Sequence, residues 1–290
     1  MKILLLGKNG QVGSALQSSL ADLGELTAWD RSDLDLSVPD SIRESVRRAR
    51  PDIIVNAAAY TAVDRAETES DLAMAINGAA VGIMAEEASR LNALLVHFST
   101  DYVFDGSKFS PYTESDTTHP LNVYGRTKLA GEQAICDHAA RHLIFRTTWV
   151  YDAHGKNFLN TLKRVGAQRP ELAIVDDQIG APTWSREIAS ATAQIIPHFL
   201  DCQDQKQISG IYHLTAQGQT SWFDFARAAA EFGLFSGLEH PPALRAIPGS
   251  DYPTPAQRPM YSVLSNEKLR KQFGIQLPDW KVSLRECLNN

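Results

Sequence analysis

A glycine-rich loop near the start of the chain constrains its fold more than any other feature. Residues 7–13 read Gly-Lys-Asn-Gly-Gln-Val-Gly, directly between an apolar run at residues 2–6 and a segment of helical leucine spacing at residues 14–23. Glycines permit φ > 0 and let backbone N–H groups approach an anion, and a helix that follows points its positive end at that anion. The spacing predicts a strand–loop–helix unit that binds a phosphate; a tight turn without a ligand is the alternative.

Apolar runs alternate with helical patterns through the first half of the chain. Repeated strand and helix predict parallel strands joined by right-handed crossovers, and hence a Rossmann-type doubly wound parallel α/β sheet. In such a sheet ligands bind beyond the carboxyl ends of the strands, so the polar residues after each strand are the candidates for function. The predicted strands cover residues 2–6, 26–29, 52–56, 94–99 and 143–146, and the predicted helices cover residues 14–23, 41–49, 72–92 (interrupted near Gly78) and 123–138.

The regular alternation ends at about residue 150. We expect residues 1–150 to form the Rossmann core, with later segments returning to it, and residues 151–290 to form mainly a smaller α/β domain that binds the substrate. Long ordered loops are predicted at residues 175–183 and 240–259, the second of which contains six prolines. A further strand is predicted at residues 211–214, and helices are predicted at residues 222–232, 266–273 and 282–288.

Composition argues against several classes of protein. The formal net charge of −6, without a Lys/Arg-rich run, gives no electrostatic reason to expect nucleic acid or an anionic membrane as a partner. No apolar stretch approaches the roughly 18 residues of a membrane span, and the first apolar run is too short for a signal peptide. The cysteines Cys136, Cys202 and Cys287 are odd in number and far apart, which predicts reduced thiols in the cytoplasm rather than disulfides or a zinc site.

An acidic residue and a run of small residues follow the next two strands. Asp30 ends the second predicted strand, where a carboxylate would accept hydrogen bonds from an adenosine ribose. Arg31 follows at once and could pair with a 2′-phosphate, so NADH and NADPH both stay open. Residues 56–59, Asn-Ala-Ala-Ala, would let a nicotinamide ribose lie against the end of a buried strand. Alternatively, Asp30 could be a solvated or helix-capping acid, and residues 56–59 could pack closely without a ligand.

Tyr124 and Lys128 are the strongest candidates for chemistry. Spaced i and i+4, they would share one face of the helix predicted at residues 123–138. Reduction of a ketone by hydride leaves an alkoxide that must take a proton, and a nearby ammonium lowers the pKa of a tyrosine from its ordinary value of about 10. The same lysine can hydrogen-bond the nicotinamide ribose, and Thr100 could donate to the substrate carbonyl. The Y-x-x-x-K spacing is common by chance, so its place relative to the strands and the glycine loop favours the catalytic interpretation.

Taken in order, these motifs resemble the extended short-chain dehydrogenase/reductase family. Within that family the chain is most similar to reductases of dTDP-linked 4-keto-deoxysugars, and this narrower match covers nearly its whole length. Beyond the glycine loop, the resemblance rests on N-A-A-A-Y-T-A-V-D at residues 56–64, S-T-D-Y-V-F-D-G at 99–106, Y-G-R-T-K-L-A-G-E at 124–132, R-T-T-W-V-Y at 146–151, D-D-Q-I-G-A-P-T at 176–183 and Y-P-T-P-A-Q-R-P at 252–259.

The resemblance implies NAD(P)H-dependent reduction of the C4 ketone of dTDP-4-dehydrorhamnose to dTDP-L-rhamnose, the last step of dTDP-rhamnose synthesis. It makes Tyr124 the proton donor, Lys128 its modulator and Thr100 the hydroxyl that polarises the ketone. The implied cofactor-binding residues are Gly7, Gly10, Gln11, Val12, Asp30, Arg31, Asp35, Leu36, Ala59, Tyr60, Thr61, Tyr124 and Lys128. The implied substrate-binding residues are Val63, Thr100, Asp101, Tyr102, Phe104, Tyr124, Trp149 (stacked on the apolar face of the sugar), and Gln178 and Arg258 at the diphosphate.

One departure from the family bears on assembly. Some members dimerise through a magnesium ion held by glutamates, and two of those positions are Ala15 and Arg186 here. Alanine offers no ligand and arginine repels a cation, so we expect no bridging metal and favour a monomer.

Several alternatives stay open. Nucleotide-sugar epimerases and dehydratases share the fold and the Tyr/Lys pair, and Asp101 could mimic the acidic residues that dehydratases place after the Ser/Thr position. The substrate could be another NDP-4-keto-deoxysugar. The same scaffold also serves as a non-catalytic nucleotide-binding regulatory subunit of a methionine adenosyltransferase, which the presence of Thr100, Tyr124 and Lys128 disfavours. Trp149 could be a core tryptophan, and Arg258 could brace a loop.

Overall fold

A computed structural model describes residues 1–289 of the chain. The strands are β1 (Lys2–Leu6), β2 (Glu25–Trp29), β3 (Ile53–Asn56), β4 (Leu94–Thr100), β5 (His142–Thr147), β6 (Val150–Tyr151), β7 (Glu171–Val175), β8 (Ile179–Gly180), β9 (Thr183–Trp184), β10 (Gly210–His213), β11 (Thr220–Ser221) and β12 (Ala243–Ile247). The α-helices are α1 (Gln11–Leu20), α2 (Pro39–Ala49), α3 (Val63–Ala66), α4 (Ser70–Met74), α5 (Ala80–Leu91), α6 (Val123–His138), α7 (Phe158–Gly166), α8 (Ser185–Asp201), α9 (Gln205–Ile208), α10 (Trp222–Glu231), α11 (Glu267–Phe273) and α12 (Trp280–Leu288).

A six-stranded parallel sheet forms the centre of the molecule, in the order β10-β5-β4-β3-β1-β2. Every residue of β3, β4 and β5 is buried, which is why these strands are nearly continuous apolar runs. The strand order changes direction between β1 and β3, so the loops after these two strands diverge and leave a crevice at the carboxyl edge. The Rossmann-type doubly wound fold predicted from the alternation is confirmed.

Helices cover both faces of this sheet. On one face, α1 and α8 pack together, and Leu16, Ile195 and Phe199 are fully buried between them and the strands. On the other face, α2, α5 and α6 bury side chains such as Ile42 and Ile135. Each such aliphatic or aromatic side chain contributes about 1.5–3 kcal/mol by leaving water. The helix α8 was not expected from the sequence, although it completes this layer.

The second half of the chain both extends the sheet and builds a separate cluster. The strand expected at residues 211–214 is β10, which pairs in parallel with β5. A further core joins α7, α10 and α12 around buried aromatic residues such as Trp184, Phe225 and Trp280. The prediction of a loop throughout residues 240–259 was wrong in one part, because β12 pairs in parallel with β7. Prolines stand just outside the strand, at positions 242 and 248, so they do not interrupt its ladder.

The helix expected over residues 72–92 is interrupted near Gly78, as predicted. A π-helical turn at Ala75–Ala79 lies between α4 and α5. Its Asn77 is fully buried and points its amide at the neighbouring loop and at α6. Such turns widen a helix locally and place a side chain where regular spacing would not, and they are frequent at functional sites.

Three further properties bear on the class of protein. Cys136, Cys202 and Cys287 are free thiols. No helix within residues 1–289 combines the length and apolar character needed to cross a membrane. In the same residues, no group of three or more His, Cys, Asp or Glu side chains is placed to hold a metal ion.

Candidate active site

The glycine loop lies at the crevice and is shaped by close packing. Gly7 has a φ of +86°, and a Cβ there would lie 2.7 Å from the backbone nitrogen of Ala58. A Cβ on Gly13 would lie 2.0 Å from the carbonyl oxygen of Gly7. A side chain at either position would push β1, β3 and α1 apart, so the structure requires glycine there. At Gly10 the nearest atom of a non-adjacent described residue to an added Cβ is the Gly7 oxygen, at 3.4 Å, so the outer side of the loop is open beside the first turn of α1.

Asp30 follows β2 at the same edge and is held in one orientation. Its carboxylate accepts hydrogen bonds from the backbone and hydroxyl of Ser32, at 2.8 and 2.6 Å, and from the amide of Asn9 at 2.6 Å. The Ser32 hydrogen bonds are the main reason that the pKa of Asp30 falls to about 2. Lys8 places its ammonium 2.5 Å from Asp33 and 3.6 Å from Asp30. Lys8 and Asn9 were not singled out from the sequence, although they occupy the variable positions of the glycine motif.

The other residues expected to bind a cofactor differ in exposure. Arg31 is exposed, with its guanidinium 3.6 Å from the carboxylate of Asp35. Leu36 is buried in the core beside α2, whereas Val12 is half-buried. Gln11 donates from Nε2 to the carbonyl oxygen of the first residue of β6 at 3.3 Å. The first turn of α1 is thereby tied to the segment that follows β5.

The segment 59–61 after β3 is fixed by the π-helical turn. Tyr60 donates its N–H to Oδ1 of Asn77 at 2.8 Å, and Nδ2 of Asn77 donates back to the Tyr60 carbonyl at 3.0 Å. The same nitrogen reaches the hydroxyl of Thr127 on α6 at 3.1 Å. The Tyr60 hydroxyl donates to Glu69 at 2.6 Å, which raises the pKa of Tyr60. Asn77 thus sets the position of this loop relative to α6, and only the interruption near Gly78 hinted at it.

Thr100 and Tyr124 meet at the carboxyl end of β4. Thr100 is buried, and a hydrogen bond joins it to the half-buried Tyr124. The ring of Tyr102 stands edge-on to that of Tyr124, with centroids 6.0 Å apart and an interplanar angle of 81°. Burial raises the pKa of Tyr124 to about 12, against a smaller opposing effect of the Thr100 hydrogen bond. The expectation of a lowered pKa is therefore corrected: burial favours the neutral phenol of Tyr124, which can donate a proton.

Lys128 shares a helical face with Tyr124, as predicted, but its nitrogen bonds the sheet. It is almost fully buried; Nζ donates to the carbonyl oxygen of Phe98 at 2.6 Å and lies 3.0 Å from Nε2 of His97. Burial lowers the pKa of Lys128 to about 8, although the negative charge of Glu132 acts in the opposite direction. Lys128 is not among the groups that shift the pKa of Tyr124 in this arrangement.

Asp101 joins three segments behind Thr100. Its Oδ1 accepts from the Thr100 hydroxyl at 3.0 Å and its Oδ2 accepts from that of Thr148 at 2.8 Å, with Ser262 as a further donor. Burial raises the pKa of Asp101 to about 6, although these hydrogen bonds favour the charged form. The pKa of Tyr102 is also raised, first by burial and then by the charge of Asp101. The strand end is therefore held by side chains from the end of β4, from the segment that follows β5 and from the C-terminal region.

A buried ion pair lies beneath the site and keeps one predicted residue away from it. Arg146 donates from Nε and Nη2 to Glu132 at 3.0 and 2.6 Å, and Glu132 also accepts from the hydroxyl of Ser99. The Arg146 guanidinium lies 5.1 Å from the ring centroid of Phe104, which stacks on Tyr112 with centroids 4.3 Å apart. Phe104 is fully buried by these neighbours and offers no free surface to a ligand, in contrast to the expected sugar contact.

Trp149 follows β5 and is paired with an aromatic residue that the sequence did not indicate. Its ring stacks on that of Trp222 at a centroid distance of 3.5 Å. Gly180 touches the edge of the Trp149 ring, since a Cβ there would lie 2.5 Å from Cε2. Gln178 is half-buried, and its amide nitrogen would lie 3.3 Å from a Cβ on Gly249. One face of Trp149 is therefore covered by protein, so any sugar contact falls to its other face or edge.

Arg258 joins the loop at residues 254–258 to the start of α3. Its Nη1 and Nη2 donate to the two carboxylate oxygens of Asp64 at 2.9 Å each, and Nη1 also bonds the hydroxyl of Thr254 at 2.6 Å. Val63, next to Asp64 at the start of α3, is half-buried. The charge of Arg258 acts on the phenol of Tyr102, so this brace stands near the Tyr102–Tyr124 pair. Contact with a diphosphate stays a prediction.

The two positions that depart from the metal-bridged family pattern lie on α1 and α8. Ala15 packs half-buried against the core. Arg186 places its guanidinium 5.5 Å from the ring centroid of Trp184. Beside it, one oxygen of Glu187 accepts from the hydroxyl of Ser283 at 2.7 Å, and burial raises the pKa of Glu187 to about 7.

Comparison with known proteins places the whole chain in one family. Residues 1–290 match the family described as RmlD substrate binding domain. A dTDP-4-dehydrorhamnose reductase of Burkholderia thailandensis is 48% identical over 294 residues, which cover 100% of this chain and 99% of that protein. A dTDP-4-dehydrorhamnose reductase of Escherichia coli K12 is 48% identical over 296 residues, which cover 100% and 97%. The resemblance inferred from the motifs is confirmed.

Solved structures agree with these sequence matches. A dTDP-4-dehydrorhamnose reductase of Clostridium acetobutylicum superposes with a TM-score of 0.92 at 35% identity, covering 100% of this chain and 99% of that one. One of Bacillus anthracis, in complex with NADP, gives 0.90 at 33% identity, covering 99% and 98%. A Thermus thermophilus UDP-glucose 4-epimerase, in complex with NAD, gives 0.78 at 19% identity over 100% and 98%, and this similarity concerns the fold alone.

Proposed function

The chain belongs to the RmlD substrate binding domain family, and on that basis we propose that it reduces the C4 ketone of dTDP-4-dehydro-β-L-rhamnose to dTDP-L-rhamnose with NADPH or NADH. It is an oxidoreductase acting on a nucleotide sugar, in the last step of dTDP-rhamnose synthesis. The observation that carries the proposal is the hydrogen bond between Tyr124 and Thr100 at the carboxyl end of β4, on the same edge of the parallel sheet as the glycine loop after β1.

The chemistry of these side chains suits the reductive direction. The nicotinamide supplies the hydride when it is bound. The Thr100 hydroxyl can donate to the ketone oxygen and draw electron density from C4, while Tyr124 stands ready to protonate the same oxygen. Because burial keeps the pKa of Tyr124 at about 12, the donor form is fully populated at neutral pH. In the structure the single Thr100 hydroxyl hydrogen is donated to Asp101 at 3.0 Å, so it must turn from Asp101 to the ketone oxygen when the substrate binds.

The loops after β1, β2 and β3 fit a dinucleotide. The open outer side at Gly10, next to the N-terminal turn of α1, suits the pyrophosphate, because backbone N–H groups and the helix dipole favour an anion there. Asp30 would accept from the adenosine ribose, and Arg31 with Lys8 could face a 2′-phosphate. The relative from Bacillus anthracis in complex with NADP makes NADPH the first cofactor to test.

We propose that the cluster built around Phe225 and Trp280 is the core of the substrate-binding domain. It includes α7, α10 and α12 and supplies Trp222, the neighbour of Trp149. Trp149 would then meet the apolar, methyl-bearing side of the sugar with its free face, and Gln178 and Arg258 would lie on the side of the diphosphate. On this view residues 151–290 form mainly the substrate domain. The exceptions are β10 and α8, which pack on the Rossmann core of residues 1–150.

Assembly and location are further proposals. Arg186 places a positive charge where metal-bridged relatives have a glutamate, which supports a monomer without a bridging metal. Three free thiols support a reducing compartment such as the cytoplasm. Light scattering with and without EDTA would test the first proposal; a dimer that EDTA dissociates would contradict it.

Replacement of Tyr124 by Phe tests the function itself. Consumption of NADPH and of NADH with dTDP-4-dehydrorhamnose should fall by at least about 10²-fold, because the proton donor is lost while the ring remains. Cofactor binding, followed by fluorescence, should persist, and Tyr252→Phe at an exposed position is the matched control. Unchanged turnover in Tyr124→Phe would refute the assignment. Conversion of a dTDP-sugar without net consumption of cofactor would favour an epimerase or dehydratase, and cofactor binding without turnover by the wild type would favour a regulatory subunit.

A further inference from the structure

A hydrogen-bonded chain of three side chains runs from the catalytic lysine into the sheet. Nζ of Lys128 lies 3.0 Å from Nε2 of His97 on β4, and Nδ1 of the same ring lies 3.1 Å from Nδ2 of Asn56 on β3. Oδ1 of Asn56 accepts from the backbone N–H of Ala58 at 3.1 Å. All three side chains are almost fully buried, so water does not supply alternative partners.

The donors and acceptors of this chain can be assigned from its far end. A backbone N–H can only donate, so the Asn56 atom that faces Ala58 is the amide oxygen. The amide nitrogen of Asn56 therefore faces His97 and donates to Nδ1. A neutral imidazole that accepts at Nδ1 carries its proton on Nε2. That N–H points at Lys128, whose nitrogen must offer a lone pair.

An ammonium has no lone pair, so a charged Lys128 would face the Nε2–H donor to donor. The neutral amine satisfies every contact: it accepts from His97 and donates to the Phe98 carbonyl at 2.6 Å. We propose that Asn56 and His97 hold Lys128 as an uncharged amine while the pocket is empty, and that Lys128 takes up one proton from solvent when it turns to the nicotinamide ribose. His97 is then a positioning residue that couples protonation to cofactor binding; the coupling rests on the proposed function, whereas the resting state does not.

The electrostatic surroundings of Lys128 agree with this assignment. The ionisable groups nearest to it on α6 are Tyr124 and Glu132, and β5 contributes Arg146, which is paired with Glu132. The turn after β4 contributes Asp101, and His97 faces Lys128 from β4. From the segments before α6, the uncharged Asn77 reaches Thr127, and the carboxylate of Glu67 accepts from the backbone N–H of Val123 at the start of α6. Burial lowers the pKa of Lys128 to about 8, so its neutral amine predominates only above that pH, and burial is the main reason that the pKa of His97 is lowered.

The tautomer of His97 can be measured without any ligand. In protein with ¹⁵N-labelled histidine, the ring nitrogens of His97 report which of them carries the proton; His97→Gln identifies its signals among those of the eight histidines. At pH 9, above the Lys128 pKa of about 8, we expect a protonated Nε2 in the wild type. In Asn56→Asp a carboxylate oxygen replaces the amide nitrogen, so the proton should move to Nδ1 and leave Nε2 free to accept from a lysine ammonium. A wild-type ring protonated at Nδ1 would overturn the resting state.

Proton uptake on NADPH binding measures the coupling. Titration calorimetry in two buffers of different ionisation enthalpy gives the number of protons bound, and a Tyr124→Phe background removes any contribution of the phenol. With a lysine pKa of about 8, we expect an uptake of about half a proton per site at pH 8, rising toward one at pH 9. NADH should give the same number, which excludes the 2′-phosphate as the acceptor.

Three variants decide the interpretation of the proton count. Asn56→Asp should abolish uptake because its lysine is already charged, and His97→Gln, which offers an amide oxygen, should do the same if Asn56→Asp fails to fold. Lys128→Met should also abolish it.

Normal uptake in Lys128→Met, or unchanged uptake in a folded Asn56→Asp or His97→Gln, would refute the coupling. A purely structural role of His97 would weaken binding but leave the proton number unchanged. The binding isotherm tests the cofactor separately, so absence of NADPH and NADH binding would count against the proposed function, while the tautomer measurement would still stand.

Discussion

The indole rings of Trp149 and Trp222 lie face to face, with centroids 3.5 Å apart and planes 9° from parallel. Trp149 has a φ of +45°, a left-handed conformation that bulky side chains rarely adopt. Phe158 packs on Trp222, and the centroids of these two rings are 4.6 Å apart. The aromatic stack therefore fixes a side chain whose backbone is strained, at the side of the crevice that we assign to the sugar.

Removal of Trp222 should loosen this arrangement and affect binding more than chemistry. We expect Trp222→Ala to raise KM for the nucleotide sugar about tenfold, or about 1.4 kcal/mol, with kcat changed by less than about threefold. Trp222→Phe retains an aromatic face and should recover most of the loss. Steady-state kinetics at saturating NADPH would check this. An equal fall of kcat and kcat/KM would instead indicate that Trp222 acts on the reacting groups.

Breaking the buried ion pair between Glu132 and Arg146 should destabilise the protein far more than breaking an exposed pair. Glu132→Gln leaves the buried Arg146 guanidinium without its counter-charge, so we expect a loss of about 3–5 kcal/mol in the free energy of unfolding. Glu86→Gln breaks the more exposed pair with Arg43 and should cost no more than about 1 kcal/mol. Urea denaturation of both variants measures the difference. Similar losses for the two would show that the buried pair is screened.

Glu187 should make the protein less stable as the pH rises. One carboxylate oxygen is buried without a hydrogen-bond partner, and burial raises the pKa from the ordinary 4.5 to about 7 in the folded state. A raised folded pKa gives a contribution that is complete below pH 4.5 and is lost as the pH rises to 7. Allowing for partial exposure, we expect this loss to be about 1–2 kcal/mol. The Glu187→Gln variant should lack this part of the pH dependence in urea denaturation; identical slopes for variant and wild type would contradict the assignment.

Arg31 should determine how strongly NADPH is preferred. Its exposed guanidinium stands next to Asp30 and is only loosely paired with Asp35, so it can turn to a 2′-phosphate. We expect Arg31→Ala to weaken NADPH binding about tenfold or more and to leave NADH binding nearly unchanged, since a charge-assisted hydrogen bond is worth about 1.5–3 kcal/mol. Arg227→Ala, at an exposed i,i+3 pair on α10, is the control. Equal weakening of both cofactors would exclude this role.

Local signals made the first five strands, the glycine loop and the Tyr124–Lys128 face predictable. Each depends on residues close in sequence: a buried apolar run, glycines where a side chain would collide, and an i,i+4 spacing. Thr100 was identifiable for the same reason, because it ends a strand of the same sheet. These features lie at one edge because the carboxyl ends of parallel strands must meet there.

The remaining features depend on contacts between distant segments. Trp222 lies more than seventy positions after Trp149, and Asn77 reaches the loop after β3 only because a π-helical turn points it there. His97 reads as a core residue of an apolar strand until Lys128 and Asn56 are placed on either side of it. The predicted direction of the Tyr124 pKa shift was wrong because an i,i+4 spacing suggests a lysine nitrogen beside the phenol, whereas Nζ of Lys128 bonds the sheet. Phe104 was expected to contact the sugar because it lies in the same motif as Thr100, but its side chain packs against Arg146.

The position of β10 has a consequence for how the protein is made. Until residues 210–213 leave the ribosome, β5 is an unpaired edge strand. The nascent sheet also lacks α8, so the surface that Ile195 and Phe199 later cover is exposed to water. We therefore expect the cofactor half not to reach its native state during synthesis as an independent N-terminal unit, in contrast to the usual domain-by-domain order. The two halves should instead become resistant to protease together, after most of the chain has been translated.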